Sequence, residues 1–162
     1  MKKTLLPGIV LAVLLAAWMY VVGFTGWYKH PTMQAMFWFV VLIQIVVLTC
    51  VIRGAARAGS GFAGRFLRGA GTSAVAAPLV FLNSLLFTQV VFPGYFGEIR
   101  AAQESLLRSK GLPEAEITEA LKVAASMENP YLHAAFGAIG TIVTGIVVSL
   151  IVAAVVKKGA SK

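Results

Sequence analysis

"ENPYLHAAFGAIGTIVTGIVVSLIVAAVVKK", residues 128–158, is the stretch whose reading decides the fold. From Pro130 to Val156 it contains no Asp, Glu, Lys or Arg. A bilayer core about 30 Å thick takes roughly 20 mostly apolar residues per helical span, so the stretch is long enough to cross one. Asn129 is a good N-cap, Pro130 suits the first helical position, and Tyr131 belongs at headgroup level. Lys157 and Lys158 close the span. Inside it, Gly137, Thr141, Gly145, Ser149 and Ala153 recur at every fourth position. Small residues at that spacing let two helix backbones approach closely. The stripe is expected to pack inside the bundle, with contact between two protomers as the alternative.

Working outward, three further apolar runs meet the same length: residues 5–28, 32–52 and 72–92. The 162-residue chain is 59% hydrophobic and only 12% charged, with a mean hydropathy of +0.85. That balance lies outside the range of water-soluble globules. The reading is an all-α integral membrane protein, a four-helix bundle forming a single membrane domain over residues 1–162. The first run follows Lys2 and Lys3 but outlasts the roughly 7–15 apolar residues of a signal peptide, which predicts an uncleaved span. Trp27 and Tyr28 are expected at its headgroup end, and Tyr95 at that of the third span. The brief "KHP" turn at residues 29–31, with Pro31 near the next helix start, makes spans one and two an antiparallel hairpin. Residues 53–71, with Arg53, Arg57, Arg65, Arg68 and repeated glycines, read as a basic loop on the membrane surface. There Arg65 and Arg68 are expected to meet lipid headgroups while Phe62, Phe66 and Leu67 dip into the interface.

The chain's six acids, Glu98, Glu104, Glu114, Glu116, Glu119 and Glu128, all fall between spans three and four. Ile99, Ala102 and Leu106 share one helical face there, and Ile117, Ala120, Leu121 and Ala124 another. Gly111 and Pro113 separate the two, predicting an amphipathic helical hairpin over residues 98–128. Four spans put Lys2, Lys3, the four arginines of residues 53–68, Lys157, Lys158 and Lys162 on one side of the membrane. Lys29, Arg100, Arg108, Lys110 and Lys122 fall on the other. Because orientation follows the larger number of cations, both termini are expected in the cytoplasm and the hairpin outside.

Chemistry is sparse by comparison. A single cysteine, Cys50, rules out an intramolecular disulfide and a thiol cluster. The net charge of +8 is spread over span ends, without the groove or stripe that nucleic acid requires. Gly59-Ser60-Gly61-Phe62-Ala63-Gly64 matches G-x-G-x-x-G by chance: a dinucleotide site needs a preceding strand and an acid about 20 positions on. His30 and His133, with Glu98 or Glu128, lack metal-ligand spacing. Gln44, Asn83 and Gln89 are candidates for a polar path between spans, against the plainer role of hydrogen bonds between helices. No charge lies within a span, which argues against a proton-coupled pump. No catalytic residues, cofactor or metal are expected. The reading is a non-enzymatic accessory or scaffolding component whose partners are the lipid bilayer and a second copy or another membrane protein. The alternative is a small carrier or channel for a neutral or weakly polar solute.

The layout also resembles a known family. The "MKK" start, the basic loop before span three, "VFPGYFGE" at its exit, the "GLPEAEITEA" helix and the closing "GAIGTIVTGIVVSLIVAAVVKK" are similar to the bacterial four-span membrane family DUF4199, a domain of unknown function. The resemblance covers nearly the whole chain. It implies a bacterial integral membrane protein and brings no activity and no catalytic residues; the expected location is the cytoplasmic (inner) membrane.

Overall fold

A computed structural model describes residues 2–30, 33–126 and 128–156; Pro31, Lys157, Lys158 and Lys162 lie outside them. The described residues form six α-helices: α1 (Lys2–Thr25), α2 (Met33–Arg57), α3 (Phe62–Leu86), α4 (Tyr95–Ser109), α5 (Glu114–Ser126) and α6 (Pro130–Val155). A 3-10 turn, Trp27–Lys29, follows α1, and a π turn, Phe87–Val91, extends α3. Among the described residues, four segments are long and apolar enough to cross a membrane: Lys3–Thr25, Trp38–Arg57, Phe62–Val91 and Pro130–Val155. This is the make-up of a multi-pass membrane protein.

The third span departs from the sequence expectation. Residues 53–71 do not form a surface loop; α2 continues to Arg57 and α3 begins at Phe62. The reversal between them is short because Gly59 takes a left-handed φ of 78°. Its amide donates to the Ala56 carbonyl at 3.0 Å and the Ser60 amide to Ala55 at 3.0 Å, closing the end of α2 with the double bond of a Schellman turn. The remaining glycines of the segment divide: Gly54 and Gly61 face open space, whereas Gly69 is a packing residue. A Cβ on Gly69 would fall on the Ser149 side chain of α6, and one on Gly145 would fall on Ser73 of α3. Helical propensity counts against glycine, but close approach of α3 and α6 depends on it.

α3 is the centre of the bundle and touches α1, α2 and α6. With its π turn it runs 30 residues, about 45 Å at 1.5 Å per residue, longer than the hydrocarbon core. Leu11, Leu15 and Ala76 form one buried cluster between α1 and α3. Tyr28, Phe87 and Tyr95 form a second at the opposite end of the spans from the arginines. The two ends are thus a basic end, with Arg53, Arg57, Arg65 and Arg68, and an aromatic end.

α4 and α5 form a helical hairpin at the aromatic end. Gly111, with a left-handed φ of 71°, makes its turn. α4 starts at Tyr95, three residues before the expected boundary. α6 begins as the sequence requires: the Asn129 side chain accepts from the amides of Tyr131 at 2.9 Å and Leu132 at 3.3 Å.

Candidate functional site

Three features built from these helices bear on function: a seam, a cleft and a tether. The seam joins α3 to α6. Thr141, Gly145, Ser149 and Ala153 are buried on α6, and Thr72, Ser73, Ala76 and Ala77 on α3. Gly137, the first member of the small-residue stripe, is exposed and lies nearest Ser84 and Val80. The other four members are therefore used within the bundle. Thr141 donates to its own Gly137 carbonyl at 2.8 Å, whereas the buried hydroxyls of Ser73 and Ser149 have no hydrogen-bond partner.

Where α6 leaves the seam, a cleft of about 350 Å³ opens between α1, α2, α3 and α6. Leu15, Trp18, Met19, Val40, Val80 and Phe136 supply much of its apolar wall, and Gln44, Ser84, Thr141 and Thr144 its polar groups. Tyr28, Tyr95 and His133 line it at the aromatic end. Gln44 is 1% exposed and its Oε1 has no partner. A buried amide oxygen without a partner costs roughly 1–3 kcal/mol. On the α6 side the lining residues Phe136, Gly137 and Gly140 are exposed, so the cleft opens onto an outer face of a spanning helix.

The three amides of the expected polar path do not meet. Gln44 lines the cleft, but Asn83 and Gln89 are absent from its lining. Asn83 Nδ2 contacts Met19 Sδ at 3.6 Å, and Gln89 is exposed on the π turn. Helical geometry explains the split: Asn83 and Gln89 lie about one and two-thirds turns apart, so their side chains take different faces. Ser84, beside Asn83 in sequence, takes the cleft-facing position.

The tether closes the aromatic end. Lys29 Nζ lies 2.6 Å from Glu98 Oε2, and the Tyr28 hydroxyl donates to the same oxygen. The hydrogen bond from Lys29, then that from Tyr28, holds the Glu98 carboxyl below its ordinary range. Burial first, and then the Glu98 carboxylate, pushes the Tyr28 phenol up. Burial pushes Tyr95 up to about 12. Tyr95 packs edge-on to Phe87, with ring centroids 5.4 Å apart, and lies 5.8 Å from the His133 ring. Arg100 adds a second link, its Nε donating to Glu128 Oε1 at 2.8 Å. Arg108 bonds Glu104 through Nε at 3.1 Å and also pairs with Glu114 across the hairpin turn. Tyr28 and Tyr95 are thus protein core, 4% and 7% exposed, where headgroup-level rings were expected. Trp27 and Tyr131 keep exposed rings.

At the basic end Arg65 is also turned inward. It is 7% exposed and its guanidinium donates to the Val156 carbonyl at the end of α6. It therefore caps a helix C-terminus, where positive charge complements the dipole, in place of the expected lipid headgroup contact. Arg68 is partly exposed on the same helix. Sequence reasoning missed this role because a cap contributed from 91 residues away leaves no local signal. His30 is exposed and His133 packs against Tyr95 and Phe96. Among the described residues no group of three or more His, Cys, Asp or Glu could hold a metal ion.

No curated protein and no solved structure matches the chain. The family model described as "Protein of unknown function (DUF4199)" matches residues 7–158, almost the full length and all four candidate spans. By that match the chain belongs to the DUF4199 family, whose function is unknown.

Proposed function

We propose that this chain is a non-enzymatic accessory component of the bacterial cytoplasmic membrane, with both termini in the cytoplasm. The hairpin is then outside, an amphipathic platform for a partner. The observation that carries this reading is the tether. Lys29 and Tyr28 from the first reversal grip Glu98 of α4 and tie the hairpin to the bundle, and Arg100 pairs with Glu128 to close the hairpin at its base. A hairpin tied and closed in this way presents one defined surface: α5 buries Ile117 and leaves Glu116, Glu119 and Val123 exposed.

The orientation rests on the positive-inside rule, which puts the arginine-bearing end in the cytoplasm. With most of the small-residue stripe used against α3, association with another protein would fall to the hairpin. Crosslinking in native membranes followed by mass spectrometry tests the reading through Lys110 and Lys122, both exposed on the hairpin. Links from these lysines to another membrane protein or a second copy are expected. Recovery of lone monomers across crosslinker lengths and growth conditions would sink it. The carrier reading built on Gln44, Asn83 and Gln89 is the less favoured one, since Gln44 lines the cleft whereas Asn83 contacts Met19 and Gln89 is exposed.

A further inference from the structure

Independently of any partner on the hairpin, we propose that the cleft between α1, α2, α3 and α6 is a binding site for an uncharged molecule drawn from the bilayer, with a compact apolar body and one hydroxyl that donates to Gln44 Oε1. Four observations meet there. The first is size: about 350 Å³ lies within the roughly 300–1,000 Å³ of small-molecule pockets. At about 30 Å³ per water-sized group it holds on the order of a dozen such groups.

The second is the wall. Its lining contains no Asp, Glu, Lys or Arg, and an ionised guest would be left without a strong counter-charge in a low-dielectric place. The third is the vacant acceptor. Gln44 is almost wholly buried, and its oxygen finds no donor among the described residues. Thr141 cannot serve it without giving up its bond to Gly137. An acceptor without a donor selects a guest that carries an O–H or N–H. The fourth is access. Phe136, Gly137 and Gly140 line the cleft and are exposed along α6 within the candidate span, so a guest enters sideways from lipid, and molecules that partition into lipid are favoured.

Gly140 makes the idea testable without disturbing the fold, because a Cβ there would meet nothing within 4 Å. The full-length protein in lipid nanodiscs would be photolabelled with a diazirine-bearing medium-chain alkanol and, separately, with its methyl ether, and labelled residues mapped by mass spectrometry. The alkanol is expected to label Trp18 and the 136–140 segment saturably and more tightly than the ether. Gln44→Leu should weaken the alkanol about tenfold, the loss of one buried hydrogen bond, and leave the ether unchanged. Gly140→Phe, which fills the cleft, should abolish saturable labelling by both. Equal labelling by alkanol and ether would overturn the proposal, as would unsaturable labelling spread over bilayer-facing residues, the pattern of a cleft holding only water. If Gln44→Leu fails to fold, Gly140→Phe decides, and persistent saturable labelling in that variant refutes the site.

Discussion

At the scale of single residues, this chain shows how the same residue type serves opposite ends according to what stands opposite it. Gly140 and Gly145 lie five positions apart on α6, and only Gly145 belongs to the small-residue stripe. A Cβ on Gly145 would collide with Ser73, and one on Gly140 would enter open space. Gly145→Leu is therefore expected to destabilise the bundle by roughly 1–3 kcal/mol through overpacking. Gly140→Leu should be close to neutral, or slightly favourable through better helix propensity. Thermal unfolding in detergent, followed by circular dichroism, separates the two; equal effects would contradict the seam. The small-residue stripe itself was legible in the sequence because its spacing is a property of one helix. Which partner it met was not, because Gly69 lies in the segment, residues 53–71, whose glycines read as a loop, and Ser73 stands only at the start of the span expected over residues 72–92.

At the scale of elements, the hairpin is fixed by charge and by rings, and the two respond to pH in opposite directions. Glu98 and Glu128 are held below the ordinary carboxyl value of 4.5 by Lys29 with Tyr28 and by Arg100, respectively. A folded value below the unfolded one contributes stability above about pH 4.5 and loses it as pH falls through the lowered value. Tyr28 and Tyr95 are raised from 10.0, Tyr95 to about 12. Their contribution is complete below about pH 10 and fades as pH rises toward 12. The unfolding midpoint should form a plateau with a fall on each side. Glu98→Gln combined with Glu128→Gln should flatten the acid limb, and Tyr95→Phe should soften the alkaline one. An unaltered acid limb in the double variant would show that the tether does not hold the hairpin. The hairpin's two helices were readable from their apolar spacing and from Gly111. Its ion pairs differ in reach: Arg108 with Glu104 is a local i,i+4 contact, whereas Arg100 reaches across the hairpin to Glu128.

At the scale of the whole molecule, the bundle is asymmetric: basic and tightly seamed at one end, aromatic and open to a cleft toward the other. If the cation rule holds, a reporter active only outside the cytoplasm should work when fused after Gly111 and stay silent when fused after Gly59. The reverse pattern would invert the orientation and move the hairpin to the cytoplasm. The number of spans, the N-cap of α6, the polar hairpin and the family were all determined by the sequence alone. Each depends on composition, or on spacing within about 20 residues, and the bilayer's thickness turns such runs directly into helices. Only the tertiary structure decided that Tyr28 and Tyr95 are core, that Arg65 caps α6, that Gln44 stands apart from Asn83 and Gln89, and that an apolar cleft lies beside it. Those outcomes depend on which helix faces meet. In a chain apolar nearly all round, the hydrophobic pattern does not mark the inward face, and close packing of small residues chooses it instead.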